Sequence, residues 1–279
     1  MTPDNRVWPL DAKMFLSGYG GAGPLSYPVV FGTSGVGTIE ELDEGVTGLE
    51  VGYRATQRRE GTWQPLVICN AKILARIGDL SFEQAVLIDY PLQTAVVVFN
   101  LFLRTGEPNT GKGAVGSYAV QYAKNTNICQ VGHTVIATAS SRDVERQKGL
   151  GASEVIDYKA PNVVDHLRSL GSYKYLFTAS GDSTSQKALT SLLQAQGGGQ
   201  LDHNVNRVYQ AFSQAVQRDQ YSESRAWWCK DYLLKVLRGN LVEPVKFTKP
   251  GRGLTALHQA STEVFEGKIS GRVVVNPQE

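Results

Sequence analysis

Gly111-Lys112-Gly113-Ala114-Val115-Gly116-Ser117 is the stretch on which the fold turns. It satisfies G-x-G-x-x-G and leads into Val115, Ala119, Tyr122 and Ala123, whose spacing gives one apolar face to a helix expected over 115–124. Glycines permit a tight turn and a close backbone approach, and the N–H groups at the head of such a helix form a site for a diphosphate. Gly113, Ala114, Val115 and Gly116 are therefore candidate dinucleotide-binding residues. A glycine-rich turn ahead of an ordinary amphipathic helix satisfies the same pattern, so the flanking sequence has to decide.

Downstream the rhythm alternates. A strand is expected over Thr134-Val135-Ile136-Ala137, a helix from Asp143 to Leu150, and strands at Val155-Ile156 and Tyr175-Leu176-Phe177. Strands separated by helices at this spacing indicate right-handed βαβ units in a parallel sheet. After the strand at 134–138, an NAD-selective site would carry a ribose-binding Asp or Glu. This chain has Ala139-Ser140-Ser141-Arg142-Asp143 there instead. Small hydroxyls with an arginine suit a 2′-phosphate, because a guanidinium makes paired charge-assisted hydrogen bonds to it, and NADPH is favoured over NADH. Ser140 and Ser141 also suit the cap of the helix that follows, and the two roles are compatible.

Upstream, Gly32, Gly35, Gly37, Gly45, Gly48 and Gly52 punctuate short β-branched runs, the texture of strands and tight turns. From Ser81 the apolar residues recur at helical spacing across Pro91. The tail is expected to form a helix over 227–237, a strand at 245–247, a helix over 254–265 and a last strand over 272–275. The resulting division is 1–90, with part of the tail (245–279), and 91–244.

Composition limits the function classes. The chain has 279 residues, 42% hydrophobic and 19% charged, enough for a sizeable core, and its net charge of +2 has no basic block of the kind that tracks nucleic acid. Cys69, Cys129 and Cys229 are odd in number and far apart, which points to neither a disulfide framework nor a C-x-x-C metal pair. Met1 to Leu10 lacks a secretory apolar core and the Ala95 to Phe99 run is too short to span a bilayer, so a cytoplasmic, membrane-free protein is expected.

Several passages resemble the medium-chain dehydrogenase/reductase superfamily. Tyr27-Pro28-Val29-Val30-Phe31-Gly32-Thr33-Ser34-Gly35-Val36-Gly37, with Val51-Gly52-Tyr53-Arg54 after it, is similar to the Y-P-x-V-x-G-x-D-x-A-G … V-G-D-R-V passage of those reductases. Residues 113–124, 134–141, 150–158 and 267–271 extend the likeness in the same order. The branch most resembled is that of zinc-free fungal enoyl reductases acting in trans with polyketide synthases. The resemblance implies an α/β protein with a GroES-like β-domain, here truncated, and a Rossmann-type doubly wound parallel sheet. It also implies NADPH held by Gly113 to Gly116, by Ser140, Ser141, Arg142 and Asp143, by Tyr158, and by Ile269 and Ser270. Trp8-Pro9-Leu10-Asp11-Ala12-Lys13 resembles an early element near the nicotinamide, which brings in Pro9 and Asp11. Ile88-Asp89-Tyr90-Pro91-Leu92-Gln93-Thr94-Ala95 resembles a substrate-lining loop, bringing in Ile88, Tyr90, Leu92 and Thr94. Taken alone, Tyr158 also reads as a half-buried aromatic at a strand end, and Tyr90 and Thr94 as packing beside Pro91.

A catalytic zinc needs three converging ligands, yet Gly32-Thr33-Ser34 stands where zinc relatives have G-H-E, and His133, His166, His203 and His258 lie in unrelated segments. No metal site is expected, and conjugate reduction of an enone or enoyl thioester is the natural chemistry. No residue stands out as proton donor, so the catalytic residue is left unassigned. The chain departs from the resemblance at the first Rossmann strand, which is missing between Lys112 and Gly113, leaving Leu101-Phe102-Leu103 or nothing to fill its place. Residues 125–132 are longer than expected, and 197–208 lacks a strand. Two other readings therefore stand beside the reductase: a quinone or small-enone reductase, and a catalytically impaired binding or scaffold protein. A small-molecule or carrier-bound acyl substrate is implied, with a polyketide synthase as possible partner. The oligomer is a monomer or a homodimer, the latter joined through the strand 272–275.

Overall fold

The fold is that of a computed structural model, which describes residues 2–7, 9–20, 23–57, 61–102, 113–125, 134–173, 176–178, 183–197, 218–269 and 272–276. The elements begin with β1 (Thr2–Val7), α1 (Pro9–Ser17), β2 (Tyr19–Gly20), β3 (Gly23–Pro24), β4 (Gly35–Thr38), β5 (Arg54–Gln57), β6 (Ala75–Arg76) and α2 (Phe82–Val97). They continue with α3 (Gly113–Asn125), β7 (Ile136–Ala139), α4 (Val144–Leu150), β8 (Glu154–Asp157), α5 (Val163–Ser169) and α6 (Ser183–Ala195). The last are α7 (Ser222–Trp227), α8 (Leu233–Gly239), β9 (Phe247–Thr248), α9 (Gly253–Phe265) and β10 (Arg272–Val275). The chain divides into two units, Met1–Tyr90 with Val216–Glu279 and Pro91–Ala215. Residues 216–244, grouped from sequence with the dinucleotide-binding part, fall in the first.

The first unit is built on a sheet of order β6-β5-β4-β1-β10-β9. β1 stands inside it, antiparallel to β4 (Thr2 opposite Thr38) and to β10 (Asn5 opposite Val275). The short opening of the chain thus supplies an interior strand. β10 is also interior, paired with β1 and, in parallel, with β9. That corrects the expectation of a dimer joined through 272–275, because both hydrogen-bonding edges of this strand are already used. Pro9 opens α1 where no backbone donor is needed, and Asp11 lies in its first turn. Val7, Ala12, Trp63, Leu257, Ala260, Val273 and Val275 form the core between sheet, α1 and α9.

α2 runs through Pro91, which removes one helical N–H, and passes into a π-helical turn at Val98–Phe102. Leu101 and Phe102 are therefore helical and do not supply the missing strand; 103–112, where the rest of that gap falls, lies outside the described residues. So do 126–133 and 198–217, on which two other expected anomalies fall.

In the second unit β7 and β8 are parallel, Ile136 opposite Glu154 and Ala139 opposite Asp157, joined by α4 as a βαβ unit. Side chains alternate across this pair. Ala137, Ala139 and Val155 pack with Val120 and Ala123 of α3 and Leu150 of α4. Ile136 and Ile156 face the other way, onto Leu167 of α5 and Leu189 and Leu192 of α6. Helices on both faces of a parallel pair make the doubly wound arrangement expected from the spacing. The expected strand 175–177 is not seen: Leu176 to Thr178 are irregular, and Tyr175 lies outside the described residues. Just before it, the Gln196 side chain brackets Tyr173, accepting from its N–H at 2.8 Å and donating to its carbonyl at 2.6 Å, in place of a neighbouring strand.

Candidate functional site

Three contacts fix the direction of α3. Near its start, Ser117 Oγ accepts from Gln147 Nε2 at 2.9 Å and from Arg146 Nη1 at 3.4 Å, in the middle of α4. At its end, Lys124 Nζ donates to the Gly149 carbonyl at 3.4 Å, at the close of α4. The two helices therefore run the same way. The first turn of α3, Gly113 to Gly116, lies at the end of the unit where α4 begins and where β7 and β8 finish. Its leading N–H groups have no intrahelical acceptor, the arrangement that favours an anion.

The same end carries the turn after β7. Ser140 is extended (φ −71°, ψ 154°), and its hydroxyl donates to Asp143 Oδ2 at 2.8 Å while Asp143 N–H donates to the Ser140 carbonyl at 2.8 Å. This hydroxyl bonds to a carboxylate and makes no bond to a helix N–H, so the capping role expected for it is not seen. Ser141 and Arg142 follow on a 3-10 turn and are exposed. Tyr158 N–H donates to the Ala139 carbonyl at 3.1 Å, which sets Tyr158, a residue 42% exposed, beside Ser140. Lys159 Nζ lies 5.9 Å from the centroid of the Tyr158 ring. A helix head opened by glycine, an exposed serine–arginine turn and a half-open aromatic at one end of the strands fit a reduced phosphorylated dinucleotide. The fit is one of chemistry: amides for the diphosphate, a guanidinium for the 2′-phosphate.

The other expected site residues belong to α1, α2 and the segment after α9. Pro9 is exposed, Asp11 is 1% exposed, and Ile269 packs half-buried against the core that contains Ala12 of α1. Ile269 and α1 thus share one core within the first unit; Ser270 lies outside the described residues. Along α2, Ile88 (3%) and Leu92 (0%) face the core, whereas Tyr90 and Thr94, also four residues apart, are half-buried on another face. The packing separates two residues that fill space from two that carry hydroxyls.

Sequence reading passed over two polar groups in α2. Asp89, 2% exposed, accepts from Thr56 Oγ1 at 2.8 Å and from Trp228 Nε1 at 3.0 Å. Gln93 is 1% exposed. The signal available was polarity inside an otherwise apolar helical run. Among the described residues no group of three His, Cys, Asp or Glu side chains is placed to hold a metal ion. None of their helices is long and apolar enough to cross a membrane.

No family model matches the chain. Among curated proteins it is 29% identical over 201 residues to the trans-enoyl reductase himH of Aspergillus japonicus, covering 63% of this chain and 57% of that one. It is likewise 29% identical over 201 residues to the trans-enoyl reductase tazE of Aspergillus terreus, covering 61% and 65%. The enoyl reductase component lovC of the lovastatin nonaketide synthase, also from Aspergillus terreus, is 28% identical over 58% of this chain and 49% of its own length. The chain thus spans about half to two thirds of the length of these relatives. Among solved structures, Escherichia coli quinone oxidoreductase complexed with NADPH superimposes with a TM-score of 0.72 at 18% identity, covering 99% of this chain and 90% of that one. JamJ enoyl reductase does so at 0.70 and 16%, covering 99% and 89%. With the β-domain, the doubly wound unit and these likenesses together, the chain has the fold of the medium-chain dehydrogenase/reductase proteins and is similar in sequence, over part of their length, to trans-enoyl reductases.

Proposed function

We propose that the chain is an NADPH-dependent reductase of an activated C=C bond, in an enoyl thioester or an enone, working in the cytoplasm in fungal secondary metabolism. The observation that carries this reading is the parallel course of α3 and α4, which gathers the glycine-led helix head, Ser140 to Arg142 and Tyr158 at one end of the strands. NADPH there would supply hydride to the substrate's β-carbon. Gly113 to Gly116 hold the diphosphate, Arg142 and Ser141 the 2′-phosphate, and Tyr158 flanks the adenosine end. Pro9, Asp11, Ile269 and Ser270 serve the nicotinamide end. Ile88 and Leu92 shape the wall beneath the acyl chain. A hydroxyl of Tyr90 or Thr94 donates to the substrate carbonyl, stabilising the negative charge that gathers on its oxygen as the C=C bond is reduced. Likeness to the enoyl reductase component of the lovastatin nonaketide synthase and to part of the polyketide synthase GfsB supports a polyketide synthase as the source of a carrier-bound substrate.

Calorimetric titration with NADPH, followed by turnover of crotonyl-pantetheine against a benzoquinone, tests the reading. Saturable binding with preference for the thioester is expected. A preference for the quinone would move the substrate class, and a folded protein that binds no NADPH would leave a binding or scaffold role.

A further inference from the structure

Gln93 stands in α2 with 1% of its surface exposed, and neither Oε1 nor Nε2 has a hydrogen-bond partner among the described residues. Other polar side chains near it in sequence are satisfied: Asp89 by Thr56 and Trp228, and Asn100, in the π-helical turn, by Tyr122 of α3 at 3.3 Å. A buried amide with both ends unmatched is costly, and such groups in folded proteins call for a specific partner. The chemistry of that partner is restricted. It must present an acceptor and a donor side by side, which a primary carboxamide does. A thioester carbonyl or a phosphate would engage only the N–H end.

The helical run that carries Gln93 is docked on α3 through the Asn100–Tyr122 bond. Gln93 precedes Asn100 by about two helical turns, ~10 Å. We propose that Gln93 pairs through both amide atoms with the carboxamide of the reduced nicotinamide, and so sets which way the ring faces. This rests on the NADPH reading above. Gln93 is then a positioning residue for the cofactor; the Tyr90 and Thr94 hydroxyls remain the groups for the substrate.

The test is a binding measurement. Wild type and Gln93→Met are titrated calorimetrically with three probes. These are NADPH, its reduced 3-acetylpyridine analogue, in which methyl replaces the amide nitrogen, and 2′-phospho-ADP-ribose, which has no nicotinamide. Wild type is expected to prefer NADPH over the analogue by roughly 5- to 30-fold, the value of one or two buried hydrogen bonds. Gln93→Met should erase that preference, leave 2′-phospho-ADP-ribose affinity unchanged, and match or exceed wild type in melting temperature, since it removes two unpaired polar atoms. Equal wild-type affinity for NADPH and its analogue overturns the proposal without any variant. So does a Gln93→Met protein that keeps the preference, which would assign the amide to internal water. If wild type fails to bind even 2′-phospho-ADP-ribose, the cofactor reading itself falls and takes this inference with it.

Discussion

The indole N–H of Trp228 donates to Asp89 Oδ1 at 3.0 Å, joining residues 139 apart in sequence. The other carboxylate oxygen accepts from Thr56 on β5 at 2.8 Å. One buried side chain thus ties a sheet strand, the helix α2 and the π-helical turn Trp228–Tyr232 together inside the first unit.

Replacing Asp89 with Ala should leave two buried donors facing no acceptor and lower stability by about 2–4 kcal/mol. Asp89→Asn, which keeps one acceptor oxygen, should cost less. In a double-mutant cycle with Trp228→Phe, read from urea midpoints, the two changes should be non-additive. Additive losses would mean the bond contributes nothing of its own.

Gly32 has φ +97°, and a Cβ there would lie 2.9 Å from the Trp63 backbone nitrogen, as well as against the Thr62 hydroxyl. Two backbone bonds hold the segments together, Thr62 N–H to the Gly32 carbonyl and Trp63 N–H to the Phe31 carbonyl. Gly32→Ala is therefore expected to destabilise by about 3 kcal/mol, combining strain with the clash. Gly45→Ala, also at positive φ but with open space around it, should cost less. Thermal melts of the two variants rank them.

Burial raises the phenol of Tyr122 above its ordinary 10.0, a rise opposed by the Asn100 hydrogen bond, and burial likewise raises Tyr173. A raised folded value means the protonated phenols stabilise the fold fully below about pH 10. That contribution is lost as pH climbs through the folded values. Stability measured from pH 8 to 11.5 should fall on the alkaline side, and the limb should flatten in Tyr122→Phe/Tyr173→Phe. An unchanged slope in the double variant would place the loss in other groups.

Arg142 is exposed on the turn after β7 and follows Ser140, whose hydroxyl is already engaged with Asp143. If its guanidinium holds the 2′-phosphate, Arg142→Ala should weaken NADPH binding by roughly 10- to 100-fold and leave NADH affinity unchanged. The NADPH affinity of wild type should also fall more steeply with salt than that of the variant.

Much of this fold is written locally. The doubly wound unit was legible because alternation within β7 and β8, and the apolar face of α3, follow from backbone periodicity that neighbouring residues alone express. What sequence could not decide was set by packing. β10 ends inside a sheet because β1 and β9 take both of its edges, pairings more than two hundred residues apart for β1. Leu101 and Phe102, plausible in a strand, are helical because α2 carries on past Pro91 into a π-helical turn. Along α2, chain proximity placed Ile88, Tyr90, Leu92 and Thr94 in one set; burial split them into two faces, paired Asp89 and left Gln93 unmatched. A side chain's partners are a property of distant segments brought near, and no local pattern records them.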